Sequence, residues 1–283
     1  MRSKHGAWLL LALAACNRSP QPQGQLPAAA TTQQPAPAAG QVDLSDISER
    51  DPHYLVGISF PPELKRYPAL AVEVKRDADA LRAEFMRQLD ANKGQQSPGP
   101  YELSLSYAMV AETPRIVAVS SEGTSYVGGA HGAPLLDRYV WVLPENRRLS
   151  AEALVPDPAG WTAISDYVRD QLMAVQRQRF EEDAKADAGD ADDAGDEGRS
   201  DAALKEQLKN AADMVEQGTE PKAANFANFE PVLGADGKIT ALRFVFPPYQ
   251  VGPYSDGTQS VEVPASVLLP HIAPPDRGLF AGG

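Results

Sequence analysis

The chain has 283 residues, and its 38 acidic side chains outnumber 26 basic ones, which gives a formal net charge of −12 with histidine neutral. An acidic excess of this size argues against nucleic acid and anionic lipid surfaces as partners. The single cysteine excludes an internal disulfide. The length allows one large domain, or two small ones, with a sizeable core.

The first residues of the chain have the layout of a bacterial lipoprotein signal peptide. Arg2 and Lys4 supply positive charge, residues 7–15 are almost wholly apolar, and the sequence LAAC that ends at Cys16 resembles a lipobox. The apolar run is too short to span a bilayer and ends in the small residues of a cleavage site. We therefore expect cleavage before Cys16 and lipidation of this residue. The alternative is an ordinary secretory signal peptide.

Resemblance to bacterial lipoproteins implies acyl chains on Cys16, and two or more chains suffice for stable membrane anchoring. Asn17 follows the cysteine where lipoproteins retained in the inner membrane of many Gram-negative bacteria carry aspartate. The favoured location is therefore the outer membrane, with the protein facing the periplasm. Loss of residues 1–15 removes Arg2 and Lys4, which changes the formal net charge from −12 to −14.

Two segments have compositions typical of flexible chain. Residues 16–42 combine the lipid anchor with a predicted disordered tether rich in proline, alanine and glutamine. The acidic stretch 181–201 predicts a solvated loop. Calcium binding is the alternative for this loop, since several residues fall at EF-hand positions: Asp190, Asp192, Gly195, Asp196 and Asp201. Ala194 stands where an oxygen ligand belongs, so we expect no metal ion in this loop. We expect no cofactor in the protein either.

Hydrophobic periodicity predicts an α+β fold with antiparallel sheets and long packed helices. Strands are predicted at 54–60, 101–111, 115–121, 139–143, 226–233, 239–246 and 261–263. Helices are predicted at 64–89, 161–180 and 202–216, with a last helical turn from Pro264. The predicted body has an N-terminal part over 43–147 and a C-terminal part over 148–275, followed by a flexible tail over 276–283.

Two loops resemble paired signatures of a family of bacterial extracytoplasmic domains of unknown function. The first is SYVGGAHG over 125–132, and the second is PYQVGPYSDG over 248–257. The family is best known from the lysozyme-sensing region of the anti-sigma factor RsiV and from the accessory region of a peptidoglycan deacetylase. The resemblance covers residues 50–272 and implies a two-part α+β body. We expect this chain to differ from both relatives, with neither a cytoplasmic sigma-binding segment nor a metal-binding deacetylase domain.

These loops supply the candidate ligand-binding residues, which are Tyr126, Gly128, Gly129, His131, Tyr249, Gly252, Tyr254 and Asp256. Gly128, Gly129 and Gly132 allow positive φ and close backbone approach around His131. Two other interpretations stay open. The aromatic residues could close the ends of a sheet, with their hydroxyl groups bonded to backbone. Alternatively, His131 could act in an enzyme as a base for Ser125 or as a partner of Asp256, although the sequence holds no nucleophile elbow.

Together these features predict a lipid-anchored binding module of the cell envelope without enzymatic activity. The expected ligand is a wall-active protein such as lysozyme, or peptidoglycan itself. The acidic surface favours encounter with a basic enzyme. The alternatives are a hydrolase of envelope glycans or esters that uses the His131 loop, and a structural or assembly lipoprotein.

Overall fold

A computed structural model of the chain describes residues 42–92, 99–189 and 201–283. Within these ranges nine strands form two sheets, and the chain also forms five α-helices. The first sheet contains β1 (Ile47–Arg50), β2 (Tyr54–Ser59), β3 (Tyr101–Glu112), β4 (Ile116–Tyr126), β5 (Ala133–Val142) and β6 (Arg147–Arg148). These strands lie side by side in chain order, and all neighbours are antiparallel except β2 and β3.

The parallel pairing of β2 with β3 requires a crossover, and helix α1 (Pro68–Ala91) supplies it. The sequence predicted this helix from residue 64. Instead, Pro62–Arg66 form a 3-10 turn, and α1 begins at Pro68 because proline suits the first helical position and disfavours helical backbone at the residue before it. The helix packs its apolar face on the sheet through Leu70, Ala71, Val74, Ala78, Phe85 and Leu89.

Residues 116–119 of β4 and 139–142 of β5 are buried on both faces of the sheet, and each face belongs to a different hydrophobic core. On β4, Val117 and Val119 pack into a first core with α1, whereas Ile116 and Ala118 pack into a second core. The same alternation continues on β5, where Tyr139 faces the first core. Burial on both faces explains why these strands read as nearly continuous apolar runs in the sequence.

The second core is built from the remaining elements. They are α2 (Ala151–Leu154), α3 (Pro158–Gly189), α4 (Asp201–Gly218), α5 (Ala265–Leu268) and a second, antiparallel sheet of β7 (Phe229–Leu233), β8 (Ile239–Phe246) and β9 (Gln259–Pro264). The predicted hairpin of β7 and β8 is confirmed, and Gly237 takes positive φ in its turn. Residues 223–226 form a 3-10 turn that places Phe226 in a stack on Trp161.

A buried ion pair joins the two sheets. Arg138 on β5 donates from Nε to Oε2 of Glu230 on β7 at 3.0 Å, and its side chain is 5% exposed. Arg138 also donates to Glu122 at 2.6 Å, and Arg243 donates to the other oxygen of Glu230 at 2.8 Å. Because both charges of the central pair have several hydrogen-bond partners, their burial is compensated.

The end of the chain is packed, so the predicted flexible tail over 276–283 was wrong for its first part. Pro274–Leu279 form a 3-10 helix, and Leu279 and Phe280 are buried in the second core. Phe280 forms a bridge with Ile239 on β8, and Asp276 is ion-paired with Arg147. The apolar pair at 279–280 is the physical reason, since its burial holds the end of the chain against β8.

The structure confirms the predicted α+β class with mostly antiparallel sheets. The two short strands β1 and β6 were not predicted, because four and two residues give too little periodicity. None of the helices in the described ranges combines the length and apolar character needed to cross a bilayer.

Candidate functional site

The two loops singled out in the sequence meet in the structure and bring three aromatic rings together. His131 comes from the loop 127–132 between β4 and β5, and Tyr249 and Tyr254 come from the loop 247–258 between β8 and β9. The imidazole stacks on the Tyr254 ring with centroids 3.9 Å apart, and the two tyrosine rings lie 5.6 Å apart. We call His131, Tyr249 and Tyr254 the aromatic surface, because all three are exposed.

Hydrogen bonds fix the orientation of the imidazole. Nδ1 of His131 lies 3.1 Å from the Gly132 carbonyl oxygen, and Nε2 lies 2.9 Å from the Tyr249 hydroxyl oxygen. A carbonyl only accepts, so the proton of a neutral imidazole belongs on Nδ1, and Nε2 accepts from Tyr249. The bonds of His131 thus go to neither Ser125 nor Asp256, the partners that the enzymatic interpretation required.

The backbone at Tyr249 is strained. Its φ is 74°, a conformation that a bulky residue rarely adopts, and its N–H donates to the Gly252 carbonyl at 3.0 Å. Tyr249 is nevertheless 56% exposed, so burial of its ring does not explain the strain. Backbone strain of this kind concentrates at binding and catalytic sites.

Two of the three glycines singled out in the loop 127–132 take the positive φ that the sequence analysis considered. Gly128 and Gly129 have φ of 106° and 98°, whereas Gly132 is not among the residues with positive φ. The Tyr126 hydroxyl donates to the Gly129 carbonyl at 3.2 Å, and Asn92 donates to the Val127 carbonyl at 3.0 Å. Tyr126 therefore supports the loop and contributes no ring to the aromatic surface.

Asp256 lies on the opposite side of its loop, facing α3. Its carboxylate is 11% exposed, with Oδ1 3.1 Å from Arg179 and Oδ2 accepting from Gln176 at 3.3 Å. At Gly252 a Cβ would lie 2.5 Å from Nε2 of Gln259, so only glycine lets the loop pass here without displacing a neighbour. Both predicted residues thus shape the loop from behind the aromatic surface.

Two further residues that hold the loop 247–258 were missed by the sequence analysis. Gln250 donates from Nε2 to the carbonyls of Gly218 and Asn225, each at 2.9 Å. A Cβ at Gly218 would lie 1.9 Å from the Gln250 carbonyl oxygen, so the loop rests directly on the end of α4. The contacts join residues 25 and 32 positions apart, which no local pattern could have indicated.

A cavity of ≈ 360 Å³ lies behind the same loop, between α3 and α4, and Asp256 and Gly252 are part of its wall. A second concavity of ≈ 460 Å³ lies between α1 and strands β4 and β5, with Asp77, Asp137 and Tyr139 in its wall. Burial raises the pKa of the Tyr139 hydroxyl, which donates to Asp77 at 3.2 Å.

The calcium alternative concerns residues that the structure largely does not cover. Asp190, Asp192, Gly195 and Asp196 lie outside the described residues, and Asp201 is the first residue of α4. Among the described residues, no group of three or more histidine, cysteine, aspartate or glutamate side chains is placed to hold a metal ion. Cys16 also lies outside the described residues.

Comparison with known proteins identifies one family model. Residues 154–266 match the model described as a protein of unknown function, DUF3298. This segment runs from α2 into α5 and includes the loop 247–258 but not the loop 127–132. It agrees with the expected resemblance to bacterial domains of unknown function. No curated protein matches the chain.

Two solved structures share the fold. A DUF3298 family protein from Pseudomonas aeruginosa PAO1 is 16% identical, with a TM-score of 0.51, and the match covers 86% of this chain and 99% of that one. A DUF3298 family member from Bacteroides fragilis is 15% identical, with a TM-score of 0.52, and the match covers 85% of this chain and 97% of that one. At these identities the likeness shows a common fold alone.

Proposed function

We propose that this chain is a lipid-anchored binding module of the bacterial cell envelope, whose aromatic surface recognises a wall-active protein such as lysozyme. In this proposal Cys16 carries the acyl chains, residues 17–42 are the tether, and the folded body faces the periplasm from the outer membrane. The observation that carries the proposal is the exposed ring cluster of His131, Tyr249 and Tyr254, built by two loops from different sheets.

Exposed tyrosines held in fixed positions are suited to protein recognition. A tyrosine offers a large contact area, loses little side-chain freedom on binding and keeps a hydroxyl for hydrogen bonding. Stacking on His131 and the backbone turn at Tyr249 hold the rings in place before a ligand arrives. Preorganisation of this kind lowers the entropic cost of binding.

The charge of the chain favours a basic partner. The mature protein would carry a formal charge of −14 once Arg2 and Lys4 are removed. Such a charge accelerates encounter with a cationic protein and makes the association rate depend on salt. Specificity would then come from the aromatic surface, where His131 positions Tyr249 and has no catalytic role.

A binding experiment on the full chain in detergent tests the ligand. Immobilised protein is exposed to lysozyme and, separately, to purified peptidoglycan, at low and at physiological salt. We expect lysozyme to be retained, and Tyr249→Ala to weaken its binding by about tenfold or more, as for a tyrosine at the centre of an interface. Val72→Ala, which trims an exposed apolar side chain on α1, serves as the matched control.

Failure to retain lysozyme at either salt concentration would reject it as the ligand. Retention of peptidoglycan alone, with the same sensitivity to Tyr249→Ala, would assign the aromatic surface to glycan binding instead. Equal losses in Tyr249→Ala and Val72→Ala would remove the aromatic surface from the proposal.

The anchor is tested separately by growing cells with a labelled fatty acid. The wild-type chain should take up label, and Cys16→Ala should not, because the thiol is the proposed point of attachment. Undiminished labelling of Cys16→Ala would contradict the anchor without affecting the binding site.

A further inference from the structure

The cavity between α1 and the strands β4 and β5 has the size of a small-ligand site. Its volume of ≈ 460 Å³ lies in the range of protein cavities that hold small molecules. One part of its wall is apolar and includes Leu81 on α1 and Leu135 on β5. The other part is polar and includes Asp77, Asp137 and Tyr139. Such a wall suits a ligand that has an apolar stem and a polar head.

The charge of the cavity wall is negative. Its ionisable acids and bases are three carboxylates and one guanidinium, those of Asp77, Glu84, Asp137 and Arg87. Arg87 pairs with Glu84, which leaves the charges of the two aspartates. Their own partners, Arg76 and Arg148, are not part of the wall. Burial raises the pKa of the Tyr139 hydroxyl, and the negative charges of Asp137 and Asp77 raise it further. The polar head of a ligand should therefore be a cation.

A buried hydroxyl group without a partner lies at the polar end of the cavity. Ser121 on β4 lines the wall, and only 2% of this residue is exposed. Its carbonyl accepts from Arg138 at 3.3 Å, whereas its hydroxyl makes no hydrogen bond to any described residue. Ser121 is the register partner of Asp137 on β5, and such partners have Cβ atoms about 4.5–5.5 Å apart on the same face. One ligand group can therefore reach both side chains.

Both aspartates can accept a further hydrogen bond. Asp137 accepts through Oδ1, from the backbone N–H of Arg138 at 2.7 Å and from Arg148 at 3.3 Å. Its Oδ2 has no hydrogen-bond partner among the described residues. Asp77 accepts the Tyr139 hydroxyl through Oδ2 at 3.2 Å, and each carboxylate oxygen has a second lone pair. The acceptors of the cavity thus lie on three elements, β4, β5 and α1.

We propose that this cavity binds the primary ammonium group of an alkylamine, which a lysine side chain or a free diamine can supply. An ammonium group has three donors around one nitrogen, which suits acceptors on three elements better than a planar guanidinium does. It would donate to Ser121, Asp137 and Asp77, while its methylene chain would lie against Leu81 and Leu135. A bare metal ion is a poorer match, because no group of three or more potential ligands is placed to hold one in the described part of the chain. The proposal goes beyond the proposed function and does not depend on it.

Ligand-observed NMR on the full chain in non-ionic detergent tests the proposal with two amines. Nα-acetyl-lysine methylamide represents a lysine in a protein, and 1,5-diaminopentane represents a free diamine. The dissociation constant should be in the millimolar range, and saturation transfer should be strongest at the methylene beside the ammonium group. The tighter of the two amines identifies the source of the ammonium group. The Nε-acetylated form of the lysine probe is neutral, so it is the comparison probe and should not bind.

Three substitutions approach the cavity in different ways. Asp137→Asn removes a charge, and Ser121→Ala removes the buried hydroxyl; each should weaken amine binding by about tenfold, the loss of one hydrogen bond to a charged group. Ala80→Phe, at an exposed position of the wall, should block the cavity without removing an acceptor. Asp213→Asn removes an exposed carboxylate on α4 and is the matched control, which should bind as the wild type does. Circular dichroism verifies that every variant is folded.

Absence of saturation transfer to both amines in the folded wild-type chain would overturn the proposal. Equal binding of the Nε-acetylated probe would show that the cavity does not select a cation. Equal losses in Asp137→Asn and Asp213→Asn, or wild-type binding in Ala80→Phe, would place the amine outside the cavity.

Tyr249→Ala separates this site from the aromatic surface, because exposed tyrosine rings can also bind ammonium groups. The variant should weaken lysozyme binding and leave amine binding unchanged. A loss of amine binding of about tenfold in Tyr249→Ala would place the amine on the aromatic surface and contradict the cavity.

Discussion

The two loops that form the aromatic surface are held in different ways. The loop 247–258 rests on α4 through Gln250, is tied to α3 through Asp256 and contains the strained turn at Tyr249. The loop 127–132 has two glycines at positive φ, and its ring, His131, is exposed. The comparison indicates that contacts with α3 and α4 position the loop 247–258, whereas the ring of the loop 127–132 is positioned by its bond to Tyr249 and its stack on Tyr254.

The largest effect should come from breaking the ion pair that joins the sheets carrying the two loops. Arg138→Met leaves Glu230 buried without its main partner, so we expect a loss of about 3–5 kcal/mol in the free energy of unfolding. Urea denaturation measures the loss. Arg66→Met is the matched control, because the Arg66–Glu112 pair is exposed and contributes at most about 1 kcal/mol. If Arg138→Met lowered the free energy of unfolding no more than Arg66→Met does, the buried pair would contribute no more than an exposed one and would not join the sheets.

A smaller loss is expected where the second loop rests on α4. Gly218→Ala places a Cβ 1.9 Å from the Gln250 carbonyl oxygen, so the loop must shift, at a cost of about 1–3 kcal/mol. Lysozyme binding should weaken as well, because the tyrosines move with the loop. At Gly57, a Cβ would have no neighbour within 4 Å, so Gly57→Ala is the control and should not be destabilising. If Gly218→Ala kept wild-type stability and binding, the α4 contact would not set the loop position.

Alkaline pH should lower the stability of the first core, which packs against the strands β4 and β5 that carry the loop 127–132. Burial raises the pKa of Tyr107 and Tyr139, both in the first core under β4 and β5. In the unfolded chain both hydroxyl groups have a pKa of about 10, and below this pH their contribution to the free energy of unfolding is complete. As the pH rises from there toward the folded pKa, the free energy of unfolding falls by up to about 1.4 kcal/mol per pH unit for each group.

Tyr107→Phe tests this effect, because it removes one of the two buried hydroxyl groups and keeps the ring. The variant should match the wild type at neutral pH and lose stability less steeply above pH about 10. Urea midpoints measured across this range provide the comparison. An unchanged slope would mean that the Tyr107 hydroxyl does not couple stability to pH.

The smallest effect on stability should have the opposite sign. Tyr249→Gly removes a side chain from a backbone with φ of 74°, so the free energy of unfolding should rise by about 1 kcal/mol while lysozyme binding falls. Tyr254→Gly, in the same loop without positive φ, should lower both stability and binding. Thermal unfolding distinguishes the two, and a loss of stability in Tyr249→Gly would show that the turn is not strained.

Much of the fold could be predicted from local patterns, and the site only in part. The strand at 139–143 was visible because apolar residues follow one another, but β5 begins earlier, where Pro134, Asp137 and Arg138 interrupt that pattern. Both loops were identified, yet no local pattern pairs His131 with Tyr249, 118 residues away. Asp256 was grouped with the tyrosines because it is adjacent in sequence, whereas its partners Gln176 and Arg179 on α3 turn it to the other side.

A double-mutant cycle on lysozyme binding tests the central claim, that two separately held loops form one recognition surface. The cycle compares His131→Ala, Tyr254→Ala and the double variant, whose parent rings stack at 3.9 Å. If the surface acts as a unit, the loss in the double variant should fall short of the sum of the two single losses by about 0.5 kcal/mol or more. Strictly additive losses, or no loss in either single variant, would contradict the account.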